Sequence, residues 1–363
     1  MSRVLLSTWF ALCVLVSSFL PAWAGNPVHE GLDYLSTQQQ ADGGFTNGFS
    51  EGSDLGTTCD VVLAIAAGGQ DASTWTSEDG NSPLDYLHAR VTADAVDTLG
   101  LKAKVTLALL ATDQDPAAFA ENDLVAELNV AYDDSTGSYG GNIFEQALVI
   151  LALAGADEPV PAEAIDYLLD KQSDDGAWAL FGGSDEIVDT NTTAVVVQAL
   201  VATGHRAEVG QAFAYLRRVQ NDDGGFPYQN PSEYGTDTDA NSTAVVLQAL
   251  MAAGESLDDW TPAGSSPLDA LLALYDPEGG GFLWQAAVPG PNVLATAQAI
   301  PALAGYTFVK LPRVQAANPP ASVARPSDVT LPGSGGVELL PVGVIALALV
   351  ALGGGLVLRR HWR

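Results

Sequence analysis

Apolar and polar positions alternate in blocks of roughly forty residues, and the clearest block is written twice. Tyr167–Gly204 and Tyr215–Gly254 both run from Tyr-Leu and a Gln, through Asp-Asp-Gly and an aromatic, to a Thr-Ala pair and an apolar stretch ending in Gly. In the first of these, Ala194, Val197 and Val201 fall at i, i+3 and i+7 with small or apolar residues between them, the pattern of a helix buried on most sides. Asp189 or Asn191 can cap its start, and Gly204 can take the left-handed position after its end. Ahead of it, 162–172 mixes Ile165, Leu168 and Leu169 with Asp166, Asp170 and Lys171, an amphipathic helix with a wet face. Asp174-Asp175-Gly176 is the turn between the two. Each block is thus an outer, half-wet helix and an inner, buried one, a hairpin that cannot bury itself alone.

The block recurs. Copies are read at 32–69, 83–113, 123–155, 167–204, 215–254 and 267–305, with the second lacking the glycine turn. Linkers rhyme as well: Trp75-Thr76 before Ser82-Pro83-Leu84-Asp85 matches Trp260-Thr261 before Ser266-Pro267-Leu268-Asp269. Val197 and Leu247 are assigned to inner-helix packing positions.

Gln172 with Gly176-Ala177-Trp178, and Gln220 with Gly224-Gly225-Phe226, resemble the Gln-Trp repeat of the squalene cyclase and protein prenyltransferase superfamily. The resemblance covers all six copies, most plainly the first, fourth, fifth and sixth. It implies an all-α fold, the α6/α6 toroid, with inner helices around a central cavity.

Outside the repeats, 1–24 reads as a signal peptide: Arg3, an apolar run from Val4 to Leu20, then Ala22-Trp23-Ala24. The toroid occupies 25–311. Residues 312–336 form a Pro/Ala/Ser/Gly-rich spacer, 337–358 a transmembrane helix and 359–363 a basic cytoplasmic tail. The expectation is an exported domain held on the outer membrane face by its C-terminus. Leu331-Pro332-Gly333-Ser334-Gly335 resembles a sortase signal, so Leu331, Pro332, Ser334 and Gly335 form a possible sorting site; a plain spacer before a retained anchor is the favoured reading.

The net charge of −30 excludes a basic nucleic-acid footprint. Cys59 is the one cysteine after the signal and sits where the fourth and fifth copies have Ala194 and Ala244, so a buried core role is expected.

The resemblance also brings candidate chemistry. Class II terpene cyclases place an Asp-x-Asp-Asp-Thr-Ala motif at the start of an inner helix, with the middle Asp as proton donor. Aligned on Thr-Ala, Asp189-Thr190-Asn191-Thr192-Thr193-Ala194 and Asp239-Ala240-Asn241-Ser242-Thr243-Ala244 put Asn191 and Asn241 at that position. An amide cannot supply the proton. The prenyltransferases' zinc ligands find no counterpart, since His29, His88 and His205 are scattered and Cys59 has only Asp60 beside it. No cofactor and no metal are implied.

The expectation is therefore a cell-surface, non-catalytic protein binding an unknown small molecule or surface partner, a branch related to the cobalamin carriers of the intrinsic factor type. A divergent class II cyclase is the alternative, and an adhesion or scaffold module a third. Asp189, Asn191, Asp237, Asp239, Asn241, Trp178 and Tyr228 are the candidate rim of the ligand site. Capping accounts for one polar residue per helix start, and hairpin packing for Trp178.

Overall fold

The computed structural model describes residues 26–48, 52–183 and 186–314. The signal peptide, most of the spacer, the transmembrane segment, the basic tail and the sorting site lie outside them. No helix among the described residues is long and apolar enough to cross a membrane.

Among the described residues, twelve α-helices follow one another, outer and inner in alternation. The odd ones are α1 (Pro27–Thr37), α3 (Pro83–Thr92), α5 (Leu124–Val130), α7 (Ala162–Asp170), α9 (Gly210–Val219) and α11 (Pro267–Ala273). The even ones are α2 (Leu55–Ala67), α4 (Leu99–Ala111), α6 (Ile143–Gly155), α8 (Thr190–Ala202), α10 (Ala240–Ala253) and α12 (Val293–Leu303). Each even helix packs on the next, and α12 packs on α2, so the six close a ring with the odd helices outside it.

Burial follows the sequence pattern. Every residue of α2 is buried, whereas α7 buries Ala164, Ile165 and Leu168 and leaves its other face partly wet. Val197 and Leu247 are buried as expected, and Cys59 is a free, buried thiol in the core. The one hairpin among the described residues, β1 (Tyr275–Asp276) with β2 (Gly281–Phe282), is the glycine turn of the sixth copy. It lies at the ring's seam: Tyr275 Oη donates to Glu30, and Tyr34 Oη donates to the Pro291 carbonyl at 2.9 Å.

The repeated glutamine and glycine have separate structural tasks. Gln39, Gln172 and Gln220 donate their amides to the carbonyls of Gly43, Gly176 and Gly224 at 2.9, 2.8 and 2.8 Å, clamping each turn. Gly224, at φ +90°, could not carry a side chain, because a Cβ would stand 2.3 Å from the Ser265 carbonyl oxygen just before α11. The turn of one hairpin thus seats on the outer helix of the next, which gives the glycine its reason.

Candidate functional site

All six inner helices begin at a polar cap: Asp54, Thr98, Asn142, Asp189, Asp239 and Asn292 each accept a hydrogen bond from a first-turn N–H of their helix. The fourth helical residue is a second fixed point. Thr58, Thr193, Thr243 and Thr296 use Oγ1 to accept from the N–H of Phe45, Trp178, Phe226 and Phe282, at 2.9 to 3.1 Å. In the third copy Gln146 does the same for Tyr139 at 2.8 Å. The stretch resembling the acid motif therefore divides its labour: its first residue caps, and its Thr holds the N–H of the repeat's aromatic residue.

What remains faces the axis. The sixth residue of each inner helix, Asp60, Lys104, Leu148, Val195, Val245 and Gln298, lines one cavity of about 50 Å³ at the centre of the ring. Phe144 and Asn191, second in their helices, contribute to the same wall.

A polar chain crosses this apolar centre. Lys104 Nζ donates to Asp60 Oδ2 at 2.8 Å, both side chains buried. Gln298 Nε2 donates to the same oxygen at 3.1 Å, and Asn241 Nδ2 donates to Gln298 Oε1 at 2.8 Å. Four helices are tied together through one carboxylate. Asn191 Oδ1 is buried and has no hydrogen-bond partner.

The cavity is closed on one side by the chain after α12. Tyr306, Thr307, Phe308, Leu311 and Pro312 line it, and Phe308 N donates to Gln198 Oε1 at 3.0 Å. Val314 N reaches the Ala111 carbonyl at the end of α4, at 3.1 Å.

Of the seven candidate rim residues, Asn191 and Asn241 belong to this axial centre. Asp189 and Asp239 are buried caps of α8 and α10, accepting from Thr192 N and Ser242 N at 2.7 Å. Burial pushes the Asp189 carboxyl up to about 7. Asp239 is pushed up to about 6 by the same cause, opposed by its hydrogen bonds to Ser242. Tyr228 lies half-buried nearby, its phenol raised first by burial and then by the charges of Asp189, Tyr215 and Asp239. Trp178 is fully buried, its Nε1 donating to the Leu168 carbonyl at 2.6 Å inside its own hairpin. Asp237 is exposed. The structure does not gather these seven into one site.

The family profile of the squalene-hopene cyclase C-terminal domain matches residues 101–279. A drimenyl diphosphate synthase from Streptantibioticus cattleyicolor is 32% identical over 104 residues, covering 24% of this chain and 20% of that protein. The match thus spans about a fifth of that relative. Among solved structures, the apo type II terpene cyclase MstE from Scytonema superposes with a TM-score of 0.55 at 15% identity, covering 77% of this chain and 96% of the other. This chain has the terpene cyclase fold.

The same ring is also shared, at a TM-score of 0.55 and 15% identity, with a protein from Actinoplanes, covering 77% of this chain and 98% of that one. A glycosidase in complex with glucose matches at 0.56 and 12% identity, over 79% and 97% of the two chains. The terpene cyclase-like toroid is thus well supported as architecture, and these matches lend no support to the cobalamin-carrier branch expected from the sequence. Sequence reasoning missed Asp60 and Lys104. Their signal was there: each is a charge inside a largely apolar inner helix, at the same register.

Proposed function

We propose that this toroid binds a small molecule on its axis and does not cyclise it. The observation that carries the reading is what faces the axis where a class II cyclase would hold its acid. The second residues of α8 and α10 are Asn191 and Asn241, and neither amide can donate the proton. The axial carboxylate, Asp60, is already engaged by Lys104 and Gln298. The cavity's size argues against cyclisation too: about 50 Å³ is far below the roughly 300–1,000 Å³ of ordinary small-molecule pockets, so a polyprene has no room and any bound molecule must displace part of the wall. Display on the outer face of the membrane, anchored through 337–358, belongs to the same proposal and is supported by the uncharged apolar run from Leu339 to Leu358 before a basic end.

One observation favours a second reading, a divergent class II cyclase. Asp189 and Asp239, at the starts of inner helices, have carboxyls pushed up to about 7 and about 6, so both retain protons closer to neutrality than ordinary carboxyls do. The likeness to a drimenyl diphosphate synthase supports that reading too.

Full-length protein purified from its own cells decides between them. Native mass spectrometry should show a co-purifying small molecule, and incubation with squalene, oxidosqualene or shorter polyprene diphosphates should leave them unchanged. A cyclised product that disappears in Asp189→Asn or Asp239→Asn would replace the binding reading with the cyclase.

A further inference from the structure

We propose that the axial cavity takes an uncharged aliphatic alcohol, and that residues 306–314 are its removable stopper. The inference rests on the binding reading above and adds the ligand's chemistry and its route.

The charge of the head group follows from the wall. Asp60 and Lys104 are the two charged side chains that line the cavity, and they neutralise one another at 2.8 Å. An anionic head drawn to Lys104, or a cationic one drawn to Asp60, would leave the other partner as an uncompensated buried charge, which is strongly unfavourable. A neutral head leaves the pair intact.

The polarity of that head follows from Asn191. Asn191 lines the cavity and its Oδ1 is buried behind that wall with no partner, and a buried acceptor left unmade costs free energy. Pro301, in the same wall, lacks the N–H that would bond the Ala297 carbonyl one turn back, so α12 omits one of its own bonds beside the cavity. The wall asks for a donor, as a hydroxyl provides. Around it, Leu63, Phe144, Leu148, Val195 and Val245 suit an aliphatic body.

The present cavity has room for a few water molecules but not for such a body, so something must leave. Phe308 and Leu311 fill the mouth, packed against Leu63, Ala66 and Ala111 at the ends of α2 and α4. Helix and strand are absent from this segment, and its hydrogen bonds to the ring are four: Tyr306 N to the Pro301 carbonyl at its hinge with α12, Phe308 N to Gln198, Val314 N to Ala111, and Arg313 to the Gly155 carbonyl at 3.5 Å. A segment with no helix or strand of its own and few backbone bonds belongs to the low-stability end of a fold, and it detaches without unfolding the ring. Its apolar side chains occupy the volume that the alcohol's chain would take.

The test is calorimetric titration of full-length protein with 1-decanol, decanoate, decylamine and decyl methyl ether. 1-Decanol should bind the native chain, and at least tenfold more tightly once Phe308→Ala and Leu311→Ala together have emptied the mouth. Decanoate and decylamine should bind neither. Asn191→Leu should weaken decanol about tenfold and leave the ether, which has no donor, unchanged. If the double variant does not fold, Val314→Pro removes one stopper bond and should tighten decanol in the same sense. A charged probe binding as tightly as decanol overturns the ligand class. An ether equal to decanol overturns the role of Asn191. Decanol binding that ignores both stopper changes, or that is absent throughout, overturns the proposal. None of these outcomes produces a cyclised product, so failure here is distinct from failure of the binding reading.

Discussion

Asp189→Asn isolates the consequence of placing a carboxyl at a buried helix start. Asp189 Oδ1 caps α8 through Thr192 N at 2.7 Å, while Oδ2 is buried and unpartnered. Burial raises the carboxyl from 3.8 to about 7. Because the folded-state value is raised, the native chain holds this proton more tightly than the unfolded chain does. Stability therefore falls as pH rises from about 4 to about 7 and levels off above, the opposite sense to a salt-bridged carboxylate. With roughly 1.4 kcal/mol per pH unit of differential binding, the wild type should lose on the order of 2 kcal/mol between about pH 5.5 and 8 through this group alone. Asparagine keeps the cap oxygen and has no proton to lose. The assay is urea unfolding of both chains across that range, reading the difference so that the many surface carboxylates cancel. The Asn variant should gain on the wild type as pH rises. Parallel curves would refute the reasoning, since they would mean that Asp189 is hydrated or partnered in solution.

Three further outcomes follow from the packing. Lys104→Met alone should cost about 3–5 kcal/mol by stranding the Asp60 charge, and adding Asp60→Leu should restore most of it, as denaturant midpoints of the cycle will show. Gly224→Ala should destabilise more than Gly204→Ala in thermal unfolding: both have φ near +85 to +90°, but a Cβ at Gly224 meets the Ser265 carbonyl and at Gly204 meets nothing. Thr193→Val should cost roughly 1–3 kcal/mol by orphaning the buried Trp178 N–H, and Thr193→Ser should recover most of that; equal losses in the two variants would remove the hydroxyl from the account.

Much of the architecture was legible along the chain because it is periodic and local. An inner helix buried all round and an outer one wet on one face differ in composition, so six pairs could be counted from the sequence. The caps were legible for the same reason, since Asp189 acts on an N–H three residues away. Even the place of Cys59 followed from its register with Ala194 and Ala244.

Closure of the ring and the composition of its centre came from tertiary structure. Glu30 and Tyr275 meet across the seam from opposite ends of the toroid, and no local signal pairs them. Asp60, Lys104, Gln298 and Asn241 are separated by dozens of residues, and each looks alone in its own helix. They become one network because closing six helices brings the sixth residues of α2, α4 and α12 to a single axis, where the second residue of α10 reaches Gln298. Asp189 and Asn191 show the limit most plainly. Two residues apart in sequence, they are indistinguishable as polar groups at a helix start. The helical turn points one at its own backbone and the other at the cavity, and that direction separates a cap from a ligand contact.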